Sequence, residues 1–406
     1  MRLVHIPPKT IVRKKRRWKR YVRVLCLVFA VLLAVNYVRP LPSPTIALDL
    51  PAVPAPSPNS AAWPASGMAA LATSEHGVVA THNGTQPIAT ASIAKVITAL
   101  CVLEKYPLQP GDAGPLLVIG PADVGFYQQQ LAQNGSNLPV YEGERLSLYQ
   151  ALQALMIPSA NNIADSLALW AFGSSQGYAT YANAYAARNG LTQTRVGSDA
   201  SGLDPSTTST ANDLAQLGLL AMKQPVLMEI AGQTSAVFPY AGELRNYNRA
   251  LGKAGIDGLK TGNNEQNPGG LLFTAKTIVA GHTIHLAGTV LGAASLPEAL
   301  GQSEALAASA AQNFEHITYL QKGQPVGIVR TAWGASAPVV AEHAVELVRW
   351  KGTPLVKQQT LTTPYASNAA VATVNLRTNT VHAGTSLKLA HAPSSPSIWW
   401  RLTRTH

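Results

Sequence analysis

Disulfides cannot hold this chain together, because it has only two cysteines in 406 residues. That count excludes both a disulfide-stapled scaffold and a thiolate-rich metal cluster. Cys26 lies in an apolar run near the N-terminus and Cys101 in another, and both are expected to be small buried hydrophobes. No CxxC or HExxH pattern occurs and the ten histidines are scattered, so no metal and no cofactor site is expected. Acidic residues are missing from the first 23 positions, which hold ten of the 31 lysines and arginines. The formal charge of +11 therefore belongs to one end of the chain. Once those ten are set aside, 21 basic residues face 20 acidic ones, a net of +1, and nucleic acid is excluded as a partner of the body.

An apolar run succeeds the basic block. Val24–Val35 lies inside an 18-residue stretch, Tyr21–Val38, long enough to cross a bilayer. The positive-inside rule places residues 1–20 in the cytoplasm and everything after Arg39 outside. No small-x-small cleavage site directly follows the run, so residues 21–38 read as an uncleaved signal anchor. Residues 39–65 are proline-rich and read as an extended spacer holding the body off the membrane. The chain is 47% apolar overall, enough for a sizeable core in two or three domains.

Along the body, Ala69–Thr73 and Gly77–Thr81 read as strands, with Asn83-Gly84 as a hairpin turn. Residues 107–146, rich in Gly, Pro, Gln and Asn, read as loops. Ser147-Leu148-Tyr149-Gln150 is a capping box that opens a helix ended by Pro158. Further helices are expected at Tyr178–Asn189 and from Thr210 to Met222. Strands are expected near Ser235–Pro239, Arg245–Asn248, Leu271–Lys276 and Ile284–Leu291. Beyond 317 come Val345–Trp350, Ala370–Leu376, Ser386–Ala390 and, as a last strand, Ile398–Leu402.

Three short constellations carry chemistry. Ser92 and Lys95 stand one helical turn apart at the start of the apolar helix Ile93–Leu103. A hydroxyl needs a base beside it to act as a nucleophile, and a desolvated lysine amine can serve. An N-cap serine followed by a surface lysine would read the same way. Ser159 and Asn161 sit two apart between apolar helices, where an ordinary turn also fits. Lys260-Thr261-Gly262 offers a cation and a hydroxyl on a strand, suited to a carboxylate, and Gly262 lets a substrate backbone lie close.

Taken together, in this order and at separations of 67 and 101 residues between first members, the three motifs resemble those of the penicillin-recognising serine acyltransferases. Glu144-Arg145-Leu146-Ser147, Met156 to Asn162, Ser201-Gly202-Leu203 and Val290-Leu291-Gly292-Ala293 narrow the resemblance to the low-molecular-mass D-alanyl-D-alanine carboxypeptidases. It covers roughly residues 66–316 and extends more loosely over 317–406, similar to the small β-rich domain that many members append. The resemblance implies an α+β fold, a β-lactamase/transpeptidase-like catalytic domain followed by a β-rich domain. It implies that Ser92 forms an acyl-enzyme on stem peptides of peptidoglycan ending in D-Ala-D-Ala, with β-lactam antibiotics as inhibitors. Lys95 would be the base, Ser159 the proton relay, Asn161 a positioner of substrate, and Lys260, Thr261 and Gly262 the carboxylate and backbone subsite. The amides of Ser92 and Asn263 would form the oxyanion hole. The resemblance and the N-terminal anchor together imply a bacterial cell-membrane protein with an extracytoplasmic catalytic domain. The alternatives are a D,D-transpeptidase or endopeptidase, a β-lactamase, or a silent wall-binding scaffold. No E-x-x-L-N pattern lies between the second and third motifs, which disfavours a β-lactamase. After Ala293 no arginine occurs where the family often has one, and the middle motif reads Ser-Ala-Asn rather than Ser-Gly-Asn.

Overall fold

The computed structural model describes residues 12–362, 370–378 and 381–405, with side chains from Trp18 onward. Period-two alternation builds the centre of the molecule. Strands Ile256–Gly262, Gly269–Val279, His282–Ala293, Met68–Thr73 and Gly77–His82 lie in that order in one antiparallel sheet. Successive residues of the second strand face opposite sides. Leu272 joins a core of helices, whereas Leu271 and Phe273 join a second core under helix Leu296–Ala310. A sheet covered on both faces explains why its inner strands are apolar throughout.

The Ser92 segment is a core element, as expected. One 3-10 turn, Ala91–Ala94, runs directly into the α-helix Lys95–Lys105, whose residues 95–103 are all buried. The capping box at Ser147 forms, with Gln150 N donating to Ser147 Oγ at 3.2 Å and Ser147 N to Gln150 Oε1 at 3.0 Å. The resulting α+β catalytic body is followed by a β-rich region.

Several sequence expectations are corrected. Residues 107–146 are not loops alone, for they contain the helix Pro121–Ala132. That helix has no apolar stripe to betray it; its buried residues are Asp123 and Gln130, and it packs on helix Asn161–Phe172. Asn83-Gly84 does not close a hairpin. The turn between the paired strands falls at 74–76, and Gly84 instead accepts the Asn212 N–H at 3.1 Å. The second strand of the 235–248 region is Gly242–Arg245, earlier than the alternation suggested. Ile398–Thr403 is a helix capped by Ser397, not a strand. Cys101 is buried, but Cys26 is exposed on helix Val12–Val38.

Residues 39–65 also depart from a free spacer. Thr45–Leu48 is the edge strand of a six-stranded sheet that continues through Pro325–Arg330, Ser336–Ala341, His382–Leu389, Ala370–Arg377 and Val356–Leu361. Ile46, Leu48, Leu50 and Val53 pack on its core. Prolines on either side suit an edge position, where one rim of N–H groups faces solvent. Arg349, 1% exposed, donates to the Glu315 carboxylate and to the carbonyls of Pro54 and Ala55. At the other end, buried Arg404 donates to the carbonyls of Asn36, Arg39 and Pro40, and Asn36 Nδ2 donates to those of Leu402 and Arg404. The short helix Ile398–Thr403 is thereby fastened to the C-terminal end of helix Val12–Val38. Within that helix, Trp18–Val38 is long and apolar enough to cross a membrane, and none of it is buried in the protein.

Candidate active site

Ser92 is presented by a strained turn. Ala91 before it has φ of 49°, and Thr90 N–H is tied to Thr207 O at 3.0 Å. Two glycines allow neighbouring segments to close on this turn. A Cβ on Gly262 would stand 2.8 Å from Thr90 O, and one on Gly202 only 2.1 Å from Ala91 O. The end of strand Ile256–Gly262 and the loop after Asp199 therefore both abut the serine. Asn263, next along from Gly262, is exposed.

Lys95 is fully buried and its amine lies 2.8 Å from Ser92 Oγ. The same nitrogen reaches Asn161 Oδ1 at 2.7 Å and Ser201 O at 3.0 Å. Burial lowers its pKa from 10.5 to about 7, against the opposing pull of Asp199 and Asp165. A lysine in that state is divided between charged and neutral forms near neutral pH. In the neutral form the Ser92 contact reverses, the hydroxyl donating to the amine lone pair, which is the geometry of a general base.

Asn161 joins this pair through Lys95, and Ser159 lies two residues before it. Ser159 is 3% exposed, adopts φ of 61°, and its Oγ has no hydrogen-bond partner among the described residues. Asn161 begins helix Asn161–Phe172, and its Nδ2 donates to Gln130 Oε1 at 2.9 Å. Its neighbour Asn162 clasps the N–H and C=O of Leu138, fixing the chain that faces the helix start.

Lys260 and Thr261 lie on the edge strand, 1% and 4% exposed. Lys260 Nζ approaches Thr261 O at 3.2 Å and no carboxylate of the described residues is hydrogen-bonded to it. Burial, with the Lys95 charge nearby, pushes its pKa well below the ordinary lysine range. A substrate carboxylate would supply the missing countercharge and favour the ammonium.

The structure thus links Ser92, Lys95 and Asn161 by hydrogen bonds, sets Lys260 within reach of the Lys95 charge and lays Gly262 against the Ser92 turn. Reading the sequence missed the supporting groups. Gln130 lies on helix Pro121–Ala132, inside the stretch whose composition reads as loop. Ser201 and Asp199 lie at a turn-rich loop in which only Ser-Gly-Leu carries a family likeness. Asp199 accepts the N–H groups of Ser201 at 2.7 Å and Asp204 at 2.8 Å, shaping the turn whose Ser201 carbonyl meets Lys95. Asp165, one helical turn beyond Asn161, has its pKa raised to about 7, mainly by burial. The helical spacing of Asn161 and Asp165 was the one available signal for it.

Known proteins share this architecture. Penicillin binding protein 5 of Haemophilus influenzae aligns with a TM-score of 0.58 at 19% identity, covering 85% of this chain and all of its own. A penicillin-binding protein of Streptococcus pneumoniae described as a peptidoglycan synthesis regulatory factor (PBP3) aligns with a TM-score of 0.60 at 19% identity, covering 81% and 99%. The Streptomyces K15 DD-transpeptidase, in a serine-to-alanine form, aligns at 0.53 and 22% identity over 60% and 97%. These likenesses establish the fold. In sequence, D-alanyl-D-alanine carboxypeptidase DacC of Escherichia coli is 25% identical over 341 residues, 80% of this chain and 82% of its own length. A family model for D-alanyl-D-alanine carboxypeptidase matches residues 59–295, more than half of the chain, and the protein therefore belongs to that family of serine peptidases, S11.

Proposed function

We propose that this D-Ala-D-Ala carboxypeptidase works through an acyl-enzyme on Ser92. Ser92 Oγ attacks the carbonyl of the penultimate D-Ala of a peptidoglycan stem peptide while its proton passes to the Lys95 amine. Ser159 relays a proton to the departing D-Ala nitrogen. Asn161 positions the peptide, Lys260 and Thr261 hold the terminal carboxylate, and Gly262 lets the substrate lie along the edge strand. The amides of Ser92 and Asn263 receive the oxyanion, where one donor is typically worth about 3–4 kcal/mol. Water then cleaves the ester and releases a peptide shorter by one residue. Penicillin enters by the same attack and remains attached. The 2.8 Å approach of a desolvated amine to Ser92 Oγ is the observation that carries this reading.

The domain limits we infer are a basic tail at 1–20, a membrane anchor at 21–38, a proline-rich segment at 39–65, a catalytic domain at 66–316 and a β-rich domain at 317–406. The apolar helix Trp18–Val38 and the basic residues at the N-terminal end support a cell-membrane protein with the catalytic domain outside.

The test is D-alanine release from a synthetic peptide ending in D-Ala-D-Ala, comparing the full-length protein with Ser92→Ala. Release by the wild type alone, with penicillin labelling lost in the variant, is the expected result. Penicillin labelling of Ser92 without any release would assign the site to peptide transfer rather than hydrolysis. Release that survives Ser92→Ala would refute the nucleophile.

A further inference from the structure

A carboxamide is nearly symmetric in shape, so Asn161 could present either its oxygen or its NH2 to Lys95. Lys95 turns the oxygen toward itself in both of its forms, because the ammonium only donates and the single lone pair of the neutral amine faces Ser92. What holds the amide in place lies on its far side. Asn161 Nδ2 donates to Gln130 Oε1 at 2.9 Å, while the oxygen faces Lys95 at 2.7 Å. Gln130 is 3% exposed in a helix whose other positions, Asp123 apart, reach solvent. The chain beyond it wraps the same amide. Gly135 N donates to Gln130 O at 2.8 Å, and Asn161 N donates to Ser136 O at 2.8 Å. A Cβ at position 135 would stand 2.3 Å from Gln130 Oε1 and 3.0 Å from Asn161 Nδ2, so glycine is needed there. None of the three sequence motifs includes Gln130.

We propose that Gln130 is a positioning residue that holds the Asn161 carboxamide against Lys95, and so keeps the base in register with Ser92. The inference rests on Ser92 and Lys95 acting as nucleophile and base. Its consequence is electrostatic as well as geometric. An amide oxygen beside Lys95 favours the ammonium; an amide that drifts from the amine withdraws that support and favours the neutral form. Around Lys95 stand Ser92 from its own turn, Asp165 from helix Asn161–Phe172, Asp199 and the Ser201 carbonyl from the loop, and Lys260 from the edge strand. Gln130 touches Asn161 and not the amine, which makes it a clean place to intervene.

The experiment is the rate of acylation by a fluorescent penicillin against pH, for the full-length protein, Gln130→Met and Gln130→Glu. In the wild type the rate rises with pH through about 7, as Lys95 gives up its proton. Gln130→Met removes the acceptor. Its acylation should fall about 10–100-fold above pH 8 through misplacement, and its rising limb should move to lower pH. Gln130→Glu keeps an acceptor and adds negative charge. It should retain a rate within a few-fold of wild type at high pH, with the limb moved to higher pH. Should Gln130→Met not fold, Gln130→Ala serves in its place. A limb that stays at the wild-type pH in the acceptor-less variant, whatever the rate, marks Gln130 as a packing residue and overturns the proposal. So does a Gln130→Glu rate as low as that of the acceptor-less variant. Absence of labelling in the wild type would instead sink the Ser92 reading and is told apart by that control.

Discussion

Ser159 concentrates two costs in one buried residue. Its backbone occupies the left-handed region, φ 61°, which is worth about 1 kcal/mol or more for a side chain other than glycine. Its hydroxyl is buried without a partner among the described residues, which adds a desolvation penalty. The proton relay proposed for Ser159 would account for both, since the hydroxyl is left available to substrate. Ser159→Gly is therefore expected to raise stability by about 1 kcal/mol while lowering the acylation rate. Chemical denaturation and penicillin labelling on the same samples check this. A variant both less stable and fully active would contradict the argument. Lys95 and Lys260 follow the same pattern, two buried lysines hydrogen-bonded to no carboxylate among the described residues and with proton affinities lowered by burial.

At the scale of elements, the site depends on how closely three segments approach the Ser92 turn. The edge strand comes in at Gly262, the helix Asn161–Phe172 delivers Asn161 at its first residue, and the loop after Asp199 comes in at Gly202. Gly202 combines a φ of 73° with a Cβ direction blocked by Ala91 O at 2.1 Å and Ala94 Cβ at 2.7 Å. Gly202→Ala should cost about 2–4 kcal/mol of stability and should also slow acylation, because the loop carries the Ser201 carbonyl to Lys95. Urea denaturation gives the first quantity. If stability fell but acylation of the folded fraction did not, the loop would be a packing element with no part in holding the base.

Over the whole molecule, the β-rich region is joined to the catalytic body rather than appended to it. Trp350, on the strand Val345–Trp350, is 2% exposed and packs edge-on against Phe314 in the same core as Leu271 and Phe273 of the central sheet. His76, in the turn between two catalytic strands, contacts the Val348 carbonyl at 2.9 Å. Trp350→Ala should therefore cost about 3–5 kcal/mol, measured as a loss of unfolding free energy, and should lower the melting temperature of the catalytic body with it. Independent melting of two units, with the penicillin-binding one unmoved, would show the opposite. The proline-rich segment and the C-terminal helix close the same end of the molecule, through the Thr45–Leu48 strand and the Arg404 contacts.

The sequence by itself determined the elements whose signals are local. The apolar run before Lys105, the Ser147 capping box and the apolar runs of the inner sheet strands are written in consecutive residues, and they form as read. The proposed reacting set was legible in the same way, because Ser92, Lys95, Ser159, Asn161, Lys260 and Thr261 fall into short motifs of fixed spacing. Tertiary structure alone decided what those motifs lean on. Gln130 is 31 residues from the asparagine it holds, and the Ser201 carbonyl 106 residues from the amine it meets. A backbone carbonyl has no sequence signature at all. Thr45–Leu48 becomes a strand because Pro325–Arg330 offers an edge, and Ile398–Thr403 becomes a helix seated beside Asn36, 366 residues away. In each case the deciding partner is distant along the chain, and the burial or pairing that selects the conformation exists only once the fold has brought the two together.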